Sequence, residues 1–455
     1  MTHKHSKQIE DRSRIAMITR AFSAPLMLIF LALLAPLPAL ATNTMYLAGY
    51  GTEAMGRAGA GIAVADRALG LQFNPAGIAQ LQGNHYSIDL QVLMPSLHYE
   101  DRMGNDMDGE KRNFYMPSIA YVHGSKGSPW TWGIGLVSQG GMGATFHYDH
   151  TPFGTSDDTY TQVRFATLTP SIAYAFSDNL SIGASANVGW SDVAFTFWSH
   201  TSFYSNSGTP EDPSDDVAFF GPKLTTAAST FNYSLRLGGM WRVHPKVQLG
   251  AIYQTKTHSD YKDGTLTMNE SAIGLGRVDY DASVEGFTWP EQYGIGIQYR
   301  PANRWMIAFD IKRYIWSKAI DTITVEGTDP SKAVPSSLSE VSLPFVFQWK
   351  DQTVFLLGGE CRVTDDVTVR AGYNYGKSAV PDDTLNPLFP AIPEQHISAG
   401  VGWNIGASTL NFALERALEK TQTNDNTNQA VNPFGPGATV SHSQWTIAVG
   451  FSHAF

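Results

Sequence analysis

Disulfide chemistry is excluded at the outset. The 455-residue chain carries one cysteine, Cys361, and one thiol cannot close a bridge within the chain. A lone cysteine in a strand reads as a small packing residue. Charge is also scarce. Charged side chains make up only 16% of the chain, few for a soluble globule of this size, and the net charge is −10. So acidic a chain suits nucleic acid poorly, and no nucleic-acid partner is expected. Long apolar runs are missing except for residues 21–41, which excludes a bundle of membrane helices. Catalytic signatures are missing as well: there is no G-x-S-x-G elbow and no H-E-x-x-H motif. His147, Asp149 and His150 cluster, but in a polar stretch that reads as a solvated loop. No enzymatic activity, no cofactor and no metal site is expected.

What is present begins with an export signal. Arg12, Arg14 and Arg20 precede the one apolar run, which ends Ala39-Leu40-Ala41. Basic start, apolar core and small-residue end predict a cleaved signal peptide over residues 1–41. Its removal takes five basic and two acidic residues and leaves the remainder more acidic still.

The far end of the chain gives the clearest secondary-structure signal. From Trp445 to Phe455, five of the six odd positions are apolar and all five even positions are small. Period two puts each set on one face of a strand. In a soluble sandwich the second face would carry charge. Here it carries Thr, Ala, Gly and Ser, which suits rings facing lipid around a roomy lumen. The pattern recurs at Trp305–Ile311, Tyr293–Tyr299, Ile397–Ile405 and Leu410–Leu414. Six tight connections alternate with seven longer polar segments, roughly 99–112, 147–161, 200–228, 260–278, 318–352, 378–393 and 419–441. Counting the two free ends, they separate fourteen strands. The expected fold is all-β: a transmembrane antiparallel barrel over residues 85–455, long loops on one side and short turns on the other. Closure is required because lipid offers no partner to an unpaired backbone amide.

Between signal and barrel lies residues 42–84, rich in Ala and Gly, with Gly56, Gly59 and Gly61, then Asp66, then Asn74-Pro75-Ala76-Gly77. The glycine spacing fits neither nucleotide fingerprint, and no strand precedes it, so a phosphate loop is rejected. Small residues suit close packing inside a barrel. Proline should hold Asn74 extended, leaving its amide free to donate and accept. A second glycine cluster, Gly140, Gly141 and Gly143, follows Trp130–Leu136 in the third strand and predicts a bulge.

These motifs, with the barrel behind them and the Trp289-Pro290-Glu291 entry to strand eight, resemble the FadL-type outer-membrane transporters, the long-chain fatty-acid and toluene-X family. The resemblance implies that residues 42–84 form a hatch inside the lumen. It implies that the Asn74–Gly77 turn touches a kinked strand from within. It also implies that the kink opens the wall toward the bilayer. Function would then be passive transport of hydrophobic compounds, fatty acids or aromatic hydrocarbons, gated by the hatch with lateral exit at the third strand. Place would be the outer membrane of a Gram-negative bacterium. The alternative is a general porin for small hydrophilic solutes, which the sparsely charged inward rows disfavour.

Strand phase points Arg236, Lys312 and Arg370 inward with Asp310 and Glu415. The three cations are candidates for a ligand carboxylate, Lys312 first, though such residues commonly pair with acids. Phe345, Phe347, Leu388 and Phe389 make two long segments unusually apolar. They are candidates for ligand capture, or else pack together as a lid. The acidic clusters Asp101 to Glu110 and Glu211 to Asp216 read as loop faces near lipopolysaccharide. The terminal Phe455 is the expected mark for the barrel-assembly machinery, and the chain is expected as a monomer.

Overall fold

The computed structural model describes residues 43–205 and 217–455. The expected signal segment and the acidic cluster Glu211 to Asp216 lie outside the described residues.

Fourteen strands form the ring: β1 (Gly83–Glu100), β2 (Phe114–Gly124), β3 (Trp130–His150), β4 (Thr155–Ser177), β5 (Leu180–Thr196), β6 (Pro222–His244), β7 (Val247–Gln254), β8 (Gln292–Ala302), β9 (Trp305–Tyr314), β10 (Gln352–Arg362), β11 (Val367–Gly376), β12 (Gln395–Ile405), β13 (Ser408–Asn424) and β14 (Ala438–Ala454). Each pairs antiparallel with the next. The last closes on the first, from His85 opposite Ala454 to Glu100 opposite Thr439. Closure leaves no terminal strand edge among the described residues, as the hydrocarbon requires.

Alternation sorts the side chains. On β14, Trp445, Ile447, Val449 and Phe451 face outward and Gln444, Thr446, Ala448 and Ser452 are buried. On β9, Trp305, Ile307 and Phe309 are exposed, and Met306, Ala308, Asp310 and Lys312 are buried. The outer band of rings and branched chains is a surface for lipid.

The six tight turns fall where the sequence puts them. The long segments do so only in part: 378–393 runs between β11 and β12 without a strand, but others are shorter than expected. Residues 147–161 are almost all strand, with β3 and β4 paired up to His150 opposite Thr155. At 21 and 23 residues, these strands far exceed the roughly 9–11 that a bilayer needs. Beyond the lipid both faces meet water or protein, so the alternation fades while the pairing continues. His150 is accordingly no solvated loop residue. It is buried, its ring stacked 4.2 Å from Trp198.

Further strands pile up on the same side. Tyr261–Glu270 pairs with β6 and with Gly276–Phe287, which pairs with Ile320–Thr328, which pairs with Val341–Val346. The segments expected as loops at 260–278 and 318–352 are thus partly sheet.

Candidate functional site

Residues 43–82 are nearly all buried, and their partners lie all round the ring. Gly49 accepts from Gln91 of β1, and Thr52 donates to Asp89. Ala58 bonds Ser398 of β12 and Asn374 of β11. The amides of Gly61 and Ile62 donate to Asp310 of β9 at 2.7 and 2.9 Å. Ala76 accepts from Ser181 of β5. A segment tied to so many inward faces lies within the ring.

Its charges are matched. Arg57, only 2% exposed, bridges Asp66 at 3.0 Å and Glu360 at 3.1 Å, and Glu360 also receives Arg370 at 3.2 Å. Arg67 pairs with Glu53 at 2.9 Å. Burial alone would raise the Asp66 carboxyl, but Arg57, with Arg67 and Arg370, outweighs it and holds the group down to about 2. Burial pushes Arg57 the other way, toward neutrality, yet Asp66 and Glu360 leave it above its ordinary value. Paired on both sides, the guanidinium stays charged in a dry place.

Asn74 is extended, with φ −149° and ψ 108°, and its side chain is fully used. Nδ2 donates to the Ile62 carbonyl at 2.9 Å and to the Gly239 carbonyl at 3.0 Å, while Oδ1 accepts from the Ala76 amide at 3.0 Å. The helical turn Pro75–Gln80 comes close to the third strand and packs more extensively on β4, β5 and β6. It lies against β5 and β6, where a Cβ on Gly183 or Gly238 would collide with Pro75 or with the Asn74 amide. Missing side chains on those two strands set how closely the turn can dock.

The third strand is broken all the same. The register of β3 against β4 shifts between Ser138 and Gly140. On its other side the ladder with β2 ends at Ser118 opposite Val137. Beyond that, the Ser138 hydroxyl donates to Pro117 at 2.8 Å, and backbone contact resumes where the Glu110 amide donates to Thr145. The backbone groups freed at the bulge turn inward. Leu47 donates to Gln139 at 3.2 Å and Gly141 donates to Met45 at 3.1 Å, with Tyr46 bridged to Gly140. A Cβ on Gly140 would run into the Met45 carbonyl.

A mostly apolar cavity of about 370 Å³ sits at this break, lined among others by Met45, Tyr46, Phe114, Met142, Phe165 and Pro390. Behind it the Tyr46 ring lies 5.1 Å from Trp289 and 5.4 Å from Tyr314, and Phe165 stacks on Trp289 at 4.2 Å. Tyr46, Trp289 and Phe165 gave no sequence signal as a group, since each comes from a different element. Arg57 was missed as well, although a cation in an Ala/Gly-rich stretch that packs inside a barrel needs an acid beside it.

The three cationic candidates face inward as their phase predicts, and each is engaged. Arg236 donates to the Gln72 carbonyl and to Gln254. Arg370 holds Glu360 and Asn411. Lys312 lies 5.1 Å over the Phe73 ring and 3.5 Å from the Gly59 carbonyl. Two of the apolar candidates, Phe347 and Leu388, are buried. Phe389 packs 5.0 Å from Phe347. Phe345 lines a cavity of about 450 Å³ among the long connections, with Phe219, Phe220 and Leu343.

A closed antiparallel barrel, apolar outside and largely polar or small-sided within, is an outer-membrane barrel. The family of outer-membrane transport proteins described as OMPP1/FadL/TodX matches residues 35–455. The chain belongs to that family, and its place is the outer membrane of a Gram-negative bacterium, where it transports hydrophobic compounds. Among solved structures it is similar to the Pseudomonas putida toluene transporter TodX, at 22% identity over 91% of this chain and 100% of that one, with a TM-score of 0.73. It is similar to the Ralstonia pickettii toluene transporter TbuX, at 21% over 90% and 99%, TM-score 0.68. A Pseudomonas aeruginosa FadL homologue aligns at 17% over 92% and 100%, TM-score 0.71. At these identities the likeness concerns the fold. No curated protein matches the sequence.

Proposed function

We propose that the chain passes fatty acids or aromatic hydrocarbons without an energy source, with residues 43–82 as a hatch and the third-strand break as a sideways exit. A lipophilic cargo is caught in the groove around Phe345 and moves along the Tyr46–Trp289 aromatics to the wall cavity. There it enters the bilayer without crossing water. One observation carries this reading: the β2–β3 ladder stops where the 370 Å³ apolar cavity lies, and Met45–Leu47 form the cavity's inner side. Leaving through that gap exchanges apolar protein for apolar lipid, so the step needs little free energy. The aromatic hydrocarbon transporters among the structural neighbours add weight to the same class of cargo.

The test is toluene and oleate entry into proteoliposomes. Replacing Gly140 and Gly141 with Val adds Cβ atoms against the Met45 and Val163 carbonyls. Entry should fall about tenfold or more while the barrel keeps its heat-modifiable migration. Undiminished entry in that variant refutes the sideways route. A large, steady ohmic conductance of the unaltered protein in planar bilayers refutes the hatch.

A further inference from the structure

At the short-turn end, another cavity of about 580 Å³ opens between the buried segment and strands β6 to β8. Its chemistry differs from the rest of the lumen. Arg242, Gln248 and Gln298 stand opposite one another across the three strands. Gln248 and Gln298 are buried, so this is the inward face. Arg300 lies two residues beyond Gln298 on the same face. His244 and Lys246 complete the rim, and no acidic residue lines the cavity.

Inside the ring Arg57, Arg67 and Arg370 each pair with an acid, and Arg236, which has none, is buried against the Gln72 carbonyl and Gln254. Arg242 and Arg300 take part in no ion pair among the described residues, and both are half-buried. Arg242 donates at 3.0 Å to the Gln80 side-chain oxygen. Gln80 closes the helical turn Pro75–Gln80 and donates in turn to Gln248 at 2.9 Å. Two unneutralised guanidinium groups in a cavity of this size, in a chain of net charge −10, form a local site for an anion. A neutral amide holds one of them, and a carboxylate is the stronger acceptor.

We propose that this cavity binds the carboxylate of an amphiphilic cargo at the periplasmic mouth. The carboxylate displaces Gln80 from Arg242 and so loosens the end of the buried segment. The inference rests on the lipophilic-cargo reading for its ligand class and adds a polar site for the cargo's head group. A charged carboxylate is costly in hydrocarbon and is drawn to the two arginines, whereas a neutral hydrocarbon gains nothing there.

Calorimetric titration of the full chain in an uncharged detergent tests this, with octanoate and octanol as chain-matched probes. Octanoate should bind about tenfold tighter than octanol. The double variant Arg242→Gln, Arg300→Gln should lose about tenfold in octanoate affinity with octanol unchanged, its folding checked by heat-modifiable migration. Gln80→Ala frees Arg242 without touching either charge and should tighten octanoate about threefold. Equal octanoate binding by the parent and the double variant overturns the proposal. So does a short-chain phosphatidylglycerol that binds through these arginines while octanoate does not, since the cavity then serves lipid head groups. Toluene entry into proteoliposomes reports separately on the wall exit, so either idea can fail alone.

Discussion

The amide of Gly141 donates to the carbonyl of Met45 across 3.1 Å. A residue of the barrel wall thereby takes its backbone partner from the buried segment and not from the strand beside it. The bulge on β3 frees that amide and the segment supplies the acceptor, so displacing residues 45–47 exposes unsatisfied backbone at the wall break. Wall and segment are coupled there by hydrogen bonds that must be remade whenever the segment shifts.

Asn74 fixes the other end. Asn74→Ala removes two donated bonds and one accepted bond. Three unmatched backbone groups should weaken docking by about 1–3 kcal/mol. Hydrogen exchange should quicken over residues 62–80 and stay unchanged in β9 to β14. Unchanged protection over 62–80 would show that packing alone holds the turn.

Arg57 is the larger anchor. Arg57→Ala removes the one direct ion pair of Asp66, leaving only the more distant Arg67 and Arg370, and halves the support of Glu360. Breaking a buried pair in this way should cost about 3–5 kcal/mol. It should lower the temperature at which the protein loses its compact migration on gels. Arg57→Lys keeps the charge without the fork and should fall between.

Acid should undo the same link. The folded Asp66 titrates near 2, below the unfolded value of about 4. Its contribution is therefore complete above the unfolded value and is lost as pH falls through the folded one. Pepsin cleavage within residues 43–82 should rise between about pH 4 and 2, and Asp66→Asn should flatten that rise. A pepsin pattern independent of pH in that range would remove Asp66 from the attachment.

Two neighbouring rings should behave differently. Phe347 is buried against Trp349 and Phe389, so Phe347→Ala should cost about 3–5 kcal/mol through the cavity it leaves. Phe345 borders the outer groove, so Phe345→Ala should spare stability and slow oleate uptake at low concentration. Thermal unfolding and initial uptake rates, measured on both variants, separate packing from capture.

Much of this was legible in the residues. Alternation of large and small side chains gave the strands, their phase and the inward rows, because a strand's two faces alternate whatever surrounds them. Proline-fixed geometry gave the extended Asn74. The glycines at 140, 141 and 143 gave the bulge. Less legible was the part above the membrane, where β3 and β4 continue as paired strands without a lipid-facing pattern to betray them. Nor were the glycines that let Asn74 and Pro75 approach the wall legible, since Gly183 and Gly238 lie more than a hundred residues downstream and look like ordinary inward positions.

The sequence alone determined that the chain's strands must close and which side chains face lipid. Those follow from local periodicity and from the demand that every backbone group in hydrocarbon be paired. Only the tertiary structure decided which cations are matched by acids and which are not, that the buried segment completes the β3 bulge, and that Phe347 and Leu388 are core. Such facts depend on residues far apart in the chain meeting across the ring, and no spacing along one strand encodes that meeting.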